Sequence, residues 1–223
     1  MKAVLRAWRH LAPEVRHFNF EADGIAELPF VPGQFVSLSH PINGRIITRA
    51  YSIASAPDGN RFSLCLNRVQ DGFLSPHLFA MKEGDAVAMQ GPLGTFTIRS
   101  PARDVIMVAT GTGIAPFRAM LEHRGRAGVT GNCILVFGVR YEENILYRQE
   151  LEQWSDFRPT LSRPGPAWTG RRGHVQEHVL EALGNRRDVD IYICGLKLMV
   201  DDMRARLKAL GLDRRQIICE KYD

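Results

Sequence analysis

Two rhythms of hydrophobic and polar positions divide the chain. Up to about residue 98, apolar and polar residues alternate in short stretches, the period of strands with one buried face. Val15 to Phe20 alternates, and Pro32-Gly33 turns the chain into Gln34 to Ser39. Strands follow over Thr48 to Ile53 and Phe62 to Val69, where Phe62, Leu64 and Leu66 mark one face. Asp71-Gly72 opens a short amphipathic helix carrying Phe73, Leu74, Leu78, Phe79 and Met81. Glu83-Gly84-Asp85 turns into Ala86 to Met89, and Gly91-Pro92-Leu93-Gly94 leads to a last strand over Phe96 to Ile98. Many short strands with one helix predict a small antiparallel barrel of Greek-key type.

The rhythm changes after the linker Arg99-Ser100-Pro101. Val105 to Ala109 is a continuous apolar run, the signature of a strand buried on both faces. A helix over Ala115 to Arg124 follows, with Pro116 in its first turn, where a missing N–H costs nothing. Then come strand Cys133 to Phe137, helix Ile145 to Trp154, strand Arg158 to Leu161 and helix Val175 to Leu183. Strand Ile191 to Cys194, helix Lys197 to Leu210 and strand Gln216 to Glu220 complete the series. Strands alternating with helices predict a parallel, doubly wound sheet. The expected fold is therefore two-domain, β plus α/β: a barrel over residues 1–98 and a Rossmann-like domain over residues 103–223. There is no internal repeat.

Composition narrows the function classes. The 223 residues, 45% hydrophobic and 24% charged, suit a water-soluble globular protein with proper cores. The net charge is +5, with Lys and Arg interleaved among Asp and Glu, so neither a nucleic-acid tail nor a polybasic anchor is expected. The diffuse positive field suits acidic partners or phosphate-bearing ligands. Cys65, Cys133, Cys194 and Cys219 lie far apart and form no C-x-x-C pair, which argues against an iron–sulfur cluster or a zinc ribbon. Lys2, Arg6 and Arg9 break the first segment before any signal-peptide core can form, and no apolar run approaches membrane-spanning length. The expected setting is the cytoplasm.

Several short stretches carry candidate chemistry. Arg49-Ala50-Tyr51-Ser52 places a cation, a ring and a hydroxyl within four residues, with Arg49 and Tyr51 on one face of a strand and Ser52 on the other. The residues alone leave two readings: a seat for a phosphate attached to a flat heterocycle, or an ordinary strand with exposed Arg and half-buried Tyr. Thr110-Gly111-Thr112-Gly113-Ile114-Ala115-Pro116 lies between a buried strand and a helix, where glycines admit a diphosphate and the helix start supplies free N–H groups. Pro116 stands where the usual fingerprint has its third glycine. Gly72-Phe73-Leu74-Ser75 repeats the idea in the barrel, although an N-cap by Asp71 or Ser75 explains it nearly as well. Cys194-Gly195 and Glu220 to Tyr222 end strands at the carboxyl edge of the parallel sheet, where ligands sit.

Taken together these motifs resemble the ferredoxin–NADP reductase family of flavoproteins, in order and spacing over essentially the whole chain. The resemblance implies that Arg49 holds the FAD diphosphate, Tyr51 stacks on the isoalloxazine and Ser52 hydrogen-bonds near flavin N5, with Ala50 in the same strand. It assigns Arg68 and Val69 to the flavin-contacting strand and Gly72, Phe73, Leu74 and Ser75 to a second diphosphate contact. Thr110, Gly111, Thr112, Gly113 and Pro116 match the nicotinamide-dinucleotide loop, and Cys194-Gly195 the pair beside the nicotinamide. Glu220 and Tyr222 have the spacing of the acid and the flavin-covering aromatic that end plant-type members, although here Asp223 follows. Ser52, Cys194, Glu220 and Tyr222 are thus the expected catalytic set.

The implied activity is passage of hydride from NAD(P)H to FAD, then of electrons to a one-electron carrier such as ferredoxin or flavodoxin. Ser162, Arg163 and Arg171 resemble the family's set for a 2′-phosphate, which favours NADPH over NADH; NADH-using oxygenase reductases share the wording. Two alternatives stand beside this reading: a reductase serving an oxygenase component or free flavin, and a non-catalytic flavin-binding electron-transfer subunit. The expected partner is an acidic electron carrier or an oxygenase component, the expected state a monomer. His174-Val175-Gln176-Glu177-His178 fits the H-x-x-E-H pattern of a zinc protease, but its surroundings belong to the flavoprotein motifs, so no metal is expected.

Overall fold

The computed structural model describes residues 1–129 and 131–222. The first half is a six-stranded antiparallel sheet: β1 (Lys2–Ala12), β2 (Val15–Ala22), β3 (Phe35–Ile42), β4 (Arg45–Ser52), β5 (Arg61–Asn67) and β6 (Ala86–Leu93). Its order is β4-β3-β6-β1-β2-β5. The chain leaves β5 through helix α1 (Leu74–Ala80) and returns as β6 between β3 and β1, a Greek-key connection. A bridge from Ile53 to Leu64 draws the two edge strands together and closes the barrel at one end. Leu5, Phe18, Phe20, Leu38, Ile53 and Leu64, all buried, fill it.

The second half is a six-stranded parallel sheet: β7 (Val105–Thr110), β8 (Cys133–Val139), β9 (Asp156–Leu161), β10 (Arg171–Arg172), β11 (Asp190–Leu196) and β12 (Ile217–Tyr222). Its order, β10-β9-β8-β7-β11-β12, reverses direction between β7 and β11. Helices α2 (Ala115–Arg126) and α3 (Arg148–Trp154) cover one face, and α4 (Val175–Leu183) and α5 (Lys197–Ala209) the other. Ile106, Val108, Ile191 and Ile193 face α4 and α5, while Met107, Ala109, Tyr192 and Cys194 face the α2–α3 layer. That alternation makes β7 and β11 apolar throughout. The α2–α3 cluster also takes in Ala12, Ala54, Cys65 and Phe96, so one apolar core joins the two halves.

Several expectations are corrected. Residues 2–12 form β1, which the pattern reading left unassigned; the pairing shifts register between Leu5 and Ala7, so the face parity changes mid-strand. Phe96 to Ile98 is not a strand: Phe96 instead sits edge-on to Phe117 and Tyr192, and Arg99 N–H donates to the Tyr192 hydroxyl. The third helix starts at Arg148 rather than Ile145, because Tyr147 takes a left-handed conformation with φ of 56°. β4 begins at Arg45 rather than Thr48, after a tight Asn43-Gly44 turn with positive φ at both residues. Neither Asp71 nor Ser75 caps α1; its N-cap is Phe73 and makes no side-chain bond. No helix among the described residues is long and apolar enough to cross a membrane.

Candidate functional site

The last residue of β4 meets the last strand of the parallel sheet. Ser52, 6% exposed, donates its hydroxyl to Glu220 Oε1 at 2.8 Å, and its Oγ lies 2.8 Å from the Tyr222 hydroxyl. The single Ser52 hydrogen goes to the carboxylate, so Tyr222 donates to Ser52. On the neighbouring strand β11, Cys194 directs its S–H to the same Glu220 oxygen at 3.9 Å. Residues 52, 194, 220 and 222, expected together, converge in one cluster across the boundary between the halves.

Burial shifts the protonation equilibria of this cluster. Burial raises the Glu220 carboxyl above its ordinary range, against the hydrogen bonds from Ser52 and Cys194 that favour its charge. Burial likewise pushes the Cys194 thiol and the Tyr222 phenol well above their ordinary values, with the neighbouring acid adding to both. Cys194 is therefore a neutral thiol here, suited to packing and weak donation rather than to nucleophilic attack. The upward shift and the direct hydrogen bond make Glu220 and the Ser52 hydroxyl a pair suited to proton exchange.

The nucleotide side lies at the sheet's reversal point between β7 and β11, where open α/β sheets take their ligands. Thr110 ends β7, and Gly111–Ile114 forms a 3₁₀ turn running straight into α2. Gly113 packs so close to β11 that a Cβ there would stand 2.5 Å from the Cys194 carbonyl oxygen. Gly111 has φ of +53°, with nothing within 4 Å of where its Cβ would be, which leaves backbone open to a ligand. No side chain caps the start of α2; its first N–H, at Ala115, already bonds the Thr112 carbonyl, and Pro116 has none. A cleft of about 990 Å³ opens in front, lined among others by Thr110, Gly111, Thr112, Ser162 and Tyr222. These features fit a nicotinamide dinucleotide.

The rim of that cleft carries one residue that sequence reasoning missed. Arg140 follows β8, lines the cleft, and accepts the Arg163 N–H on its carbonyl at 2.9 Å, so the two arginines are neighbours. Neither is in an ion pair among the described residues. Arg171 does have a partner, Glu181 at 3.2 Å, and Arg172 donates to the Trp168 carbonyl at 2.6 Å. Position alone, one residue past the apolar run of a buried strand, was the signal for Arg140.

The flavin side also fits. Beyond the Ile53–Leu64 bridge the β4 edge has no strand partner, and Arg45, Ile46, Thr48, Arg49 and Ala50 are exposed along it. Arg49 Nη1 donates only to the Thr48 carbonyl at 2.8 Å and pairs with no carboxylate among the described residues. Burial raises the half-buried Tyr51 phenol to about 12, against the pull of Arg49. After β5, Arg68 N–H donates to the Glu14 carbonyl at 2.8 Å. The loop to α1 then leaves Val69 and Phe73 exposed at 53% and 58%. Ser75 Oγ accepts the Val69 N–H at 2.9 Å and fixes this loop. An open strand edge with an unpaired guanidinium, beside exposed apolar side chains, is a surface for a flat ring bearing phosphates.

His174 is the residue before α4 and lines the cleft, whereas the His178 Nε2–H donates to the Arg172 carbonyl at 2.9 Å. The H-x-x-E-H pair thus points to two different tasks, and no group of three His, Cys, Asp or Glu could hold a metal ion among the described residues. The extra Asp223 lies outside the described residues.

Comparisons with known proteins agree with this division of labour. Residues 2–98 match the oxidoreductase FAD-binding domain, and residues 107–205 the oxidoreductase NAD-binding domain. The chain is 44% identical to ferredoxin–NADP reductase B of Sorangium cellulosum, over 100% of this chain and 97% of that protein. It is 30% identical to the toluate 1,2-dioxygenase electron transfer component of Pseudomonas putida, covering 99% of this chain and 67% of that one. Among solved structures, the ferredoxin reductase in carbazole 1,9a-dioxygenase superposes with a TM-score of 0.88 at 25% identity, over 100% of this chain and 69% of that one. A ferredoxin NADP+ reductase from Neisseria gonorrhoeae, solved with FAD and NADP, has the same fold, with a TM-score of 0.85 at 24% identity over 99% and 98% of the two chains.

Proposed function

The chain belongs to the ferredoxin–NADP reductase family of FAD- and NAD(P)-dependent oxidoreductases, and from that premise we propose that it carries electrons from NADPH to ferredoxin or flavodoxin. The observation that carries this reading is the meeting of Ser52, Cys194, Glu220 and Tyr222, which joins the open β4 edge to the dinucleotide loop in one chain. Bound FAD supplies the exchange between a two-electron nucleotide donor and a one-electron acceptor. Arg49, with the loop Gly72 to Ser75, would hold its diphosphate; Tyr51, Arg68 and Val69 would line its ring, and Tyr222 would cover it. Gly111 to Pro116 would hold the dinucleotide. Cys194 and Gly195 would bound the nicotinamide, while Ser52 and Glu220 hold and exchange a proton beside the reacting atoms.

The domains proposed are residues 1–98 for FAD and 103–223 for the nucleotide. Both half-sites come from one chain, which supports a monomer, and the four cysteines are free thiols, which suits the reducing cytoplasm. Purified protein loaded with FAD is expected to bleach on anaerobic addition of NADPH, then to recover its colour as added ferredoxin or flavodoxin is reduced. A flavin that stays oxidised would sink the proposal. Bleaching with transfer only to free flavin or to an oxygenase component would move it to the alternative that the toluate relative represents.

The preference for NADPH rests on Arg140, Arg163 and Arg171 around Ser162, since guanidinium groups suit a dianionic 2′-phosphate. Arg163→Ala and Arg140→Ala are each expected to raise KM for NADPH about tenfold or more, as for a lost charge-assisted hydrogen bond of about 1.5–3 kcal/mol. KM for NADH should hardly move. Steady-state kinetics with both nucleotides checks this, and equal losses with the two would defeat the preference.

A further inference from the structure

We propose that Arg118, acting with Glu122, is a positioning residue that fixes the spacing between the flavin-side and nucleotide-side half-sites; the inference rests on the function proposed above. Arg118 lies one turn into α2, the helix that grows directly out of the Gly111–Ile114 loop. It is 9% exposed, yet it sits at the boundary of the two halves. Its Nη1 donates to the Ala54 carbonyl at 2.5 Å, and its Nε donates to Glu150 Oε2 on α3 at 2.7 Å. Its guanidinium lies 4.8 Å from the centre of the Tyr147 ring. One turn further along, Glu122 Oε2 accepts the Ala56 N–H at 2.9 Å and also approaches Arg118 Nη1 at 3.3 Å.

Two side chains one helical turn apart therefore grip two backbone groups of one buried segment, a carbonyl at Ala54 and an N–H at Ala56. That segment is the direct continuation of β4, and Ala54 comes two residues after Ser52. Its own ladder continues through Ile53 N–H to the Gln34 carbonyl at 2.9 Å and Ala54 N–H to the Ser63 carbonyl at 2.7 Å. A shift of α2 relative to the barrel must break the Arg118 and Glu122 bonds, and Ser52 and the dinucleotide loop are attached to the two sides of that joint. The opposite edge of the fork is held as well. Glu150 pairs with Arg9 of β1 at 3.1 Å, so the barrel is gripped twice.

Stability is a weak reason for such a residue. A buried ion pair is often matched or bettered by well-packed apolar side chains of similar size. What a planar guanidinium adds is direction: several donors in a rigid fork set distances and angles that a flexible ammonium cannot. Transfer between two bound partners is sharply sensitive to their spacing, and a misplacement of about 1 Å can cost about a hundredfold in rate.

The test uses FAD-loaded Arg118→Met, which keeps the packed stem and removes the fork. Flavin reduction at saturating NADPH is expected to slow about tenfold, while the Kd for NADP+ stays within about threefold. At saturating NADP+, the variant should also lose most of the long-wavelength absorbance that a nicotinamide stacked on a flavin produces. A rate and absorbance equal to wild type, or a loss confined to Kd, would overturn the inference. Should Arg118→Met fail to hold FAD, Arg118→Lys decides, because it keeps the charge but cannot serve Ala54 and Glu150 together: the same split supports the role, and wild-type behaviour refutes it. Failure of the underlying function looks different, since wild-type flavin would then stay oxidised with NADPH.

Discussion

Ser52→Ala is expected to slow flavin reduction by NADPH about a hundredfold, a transition-state loss of about 2.7 kcal/mol, with FAD still bound. Ser52 bonds both Glu220 and Tyr222, each at 2.8 Å. Alanine removes the 2.8 Å partner of the Tyr222 hydroxyl and leaves Glu220 with the long Cys194 contact at 3.9 Å. Glu220 then has no hydroxyl through which to pass a proton, which is expected to remove an acid–base contribution of about a hundredfold or more. FAD retention should survive, because Arg49, Tyr51 and the loop from Arg68 to Ser75 keep their places. A second effect carries a sign. The Ser52 hydrogen bond lowers the Glu220 carboxyl against the upward push of burial, so its loss moves that group higher. The pH at which the residual rate changes should therefore move upward in the variant. Stopped-flow reduction at saturating NADPH across pH, with flavin content read from absorbance, measures both effects; an unchanged rate constant would remove Ser52 from the mechanism.

The parts of the candidate site that are legible in the sequence are those whose chemistry is local. The dinucleotide loop needs glycines at 111 and 113 within a strand-to-helix turn, and a seven-residue window displays that need. Arg49 to Ser52 is ambiguous alone, since an edge strand and a ring site have the same alternation; order along the chain, not local pattern, favours the ring site. Arg140 had no local mark, because an exposed arginine after a strand is ordinary until the fold brings Arg163 beside it. The interface residues were least legible. His17 reaches Tyr147 across 130 positions and Arg118 reaches Ala54 across 64, and no periodicity encodes such pairs. The same holds for Phe96, an apolar residue that reads as strand but is buried by packing on Phe117 and Tyr192 rather than by a ladder.

Acid is expected to weaken this interface through His17, by about 3 kcal/mol between pH 7 and pH 4. His17 is 5% exposed and lies between Asn19 Oδ1, 2.9 Å from its Nε2, and the Tyr147 hydroxyl, 2.8 Å from its Nδ1. Asn19 Oδ1 also accepts the Ser63 hydroxyl at 2.8 Å, so it acts as an acceptor and the histidine proton sits on Nε2. Nδ1 then accepts from Tyr147, and the ring is neutral. Burial, followed by the nearby charges of Arg118 and Arg9, lowers its pKa from 6.5 to about 4, against the Asn19 bond that favours the charged form. Below pH 6.5 the unfolded chain takes up a proton that the folded protein refuses. Stability from this residue is complete above pH 6.5 and drains away as the pH falls toward 4, at about 1.4 kcal/mol per pH unit. Other groups titrate in the same window, so the difference between wild type and His17→Gln isolates the effect. Gln cannot charge; it is expected to be the less stable protein at pH 7.5, and its deficit should shrink by about 2–3 kcal/mol at pH 4.5. Urea unfolding of both proteins at fixed, saturating FAD provides the comparison, and parallel pH profiles would show that His17 does not carry the acid sensitivity.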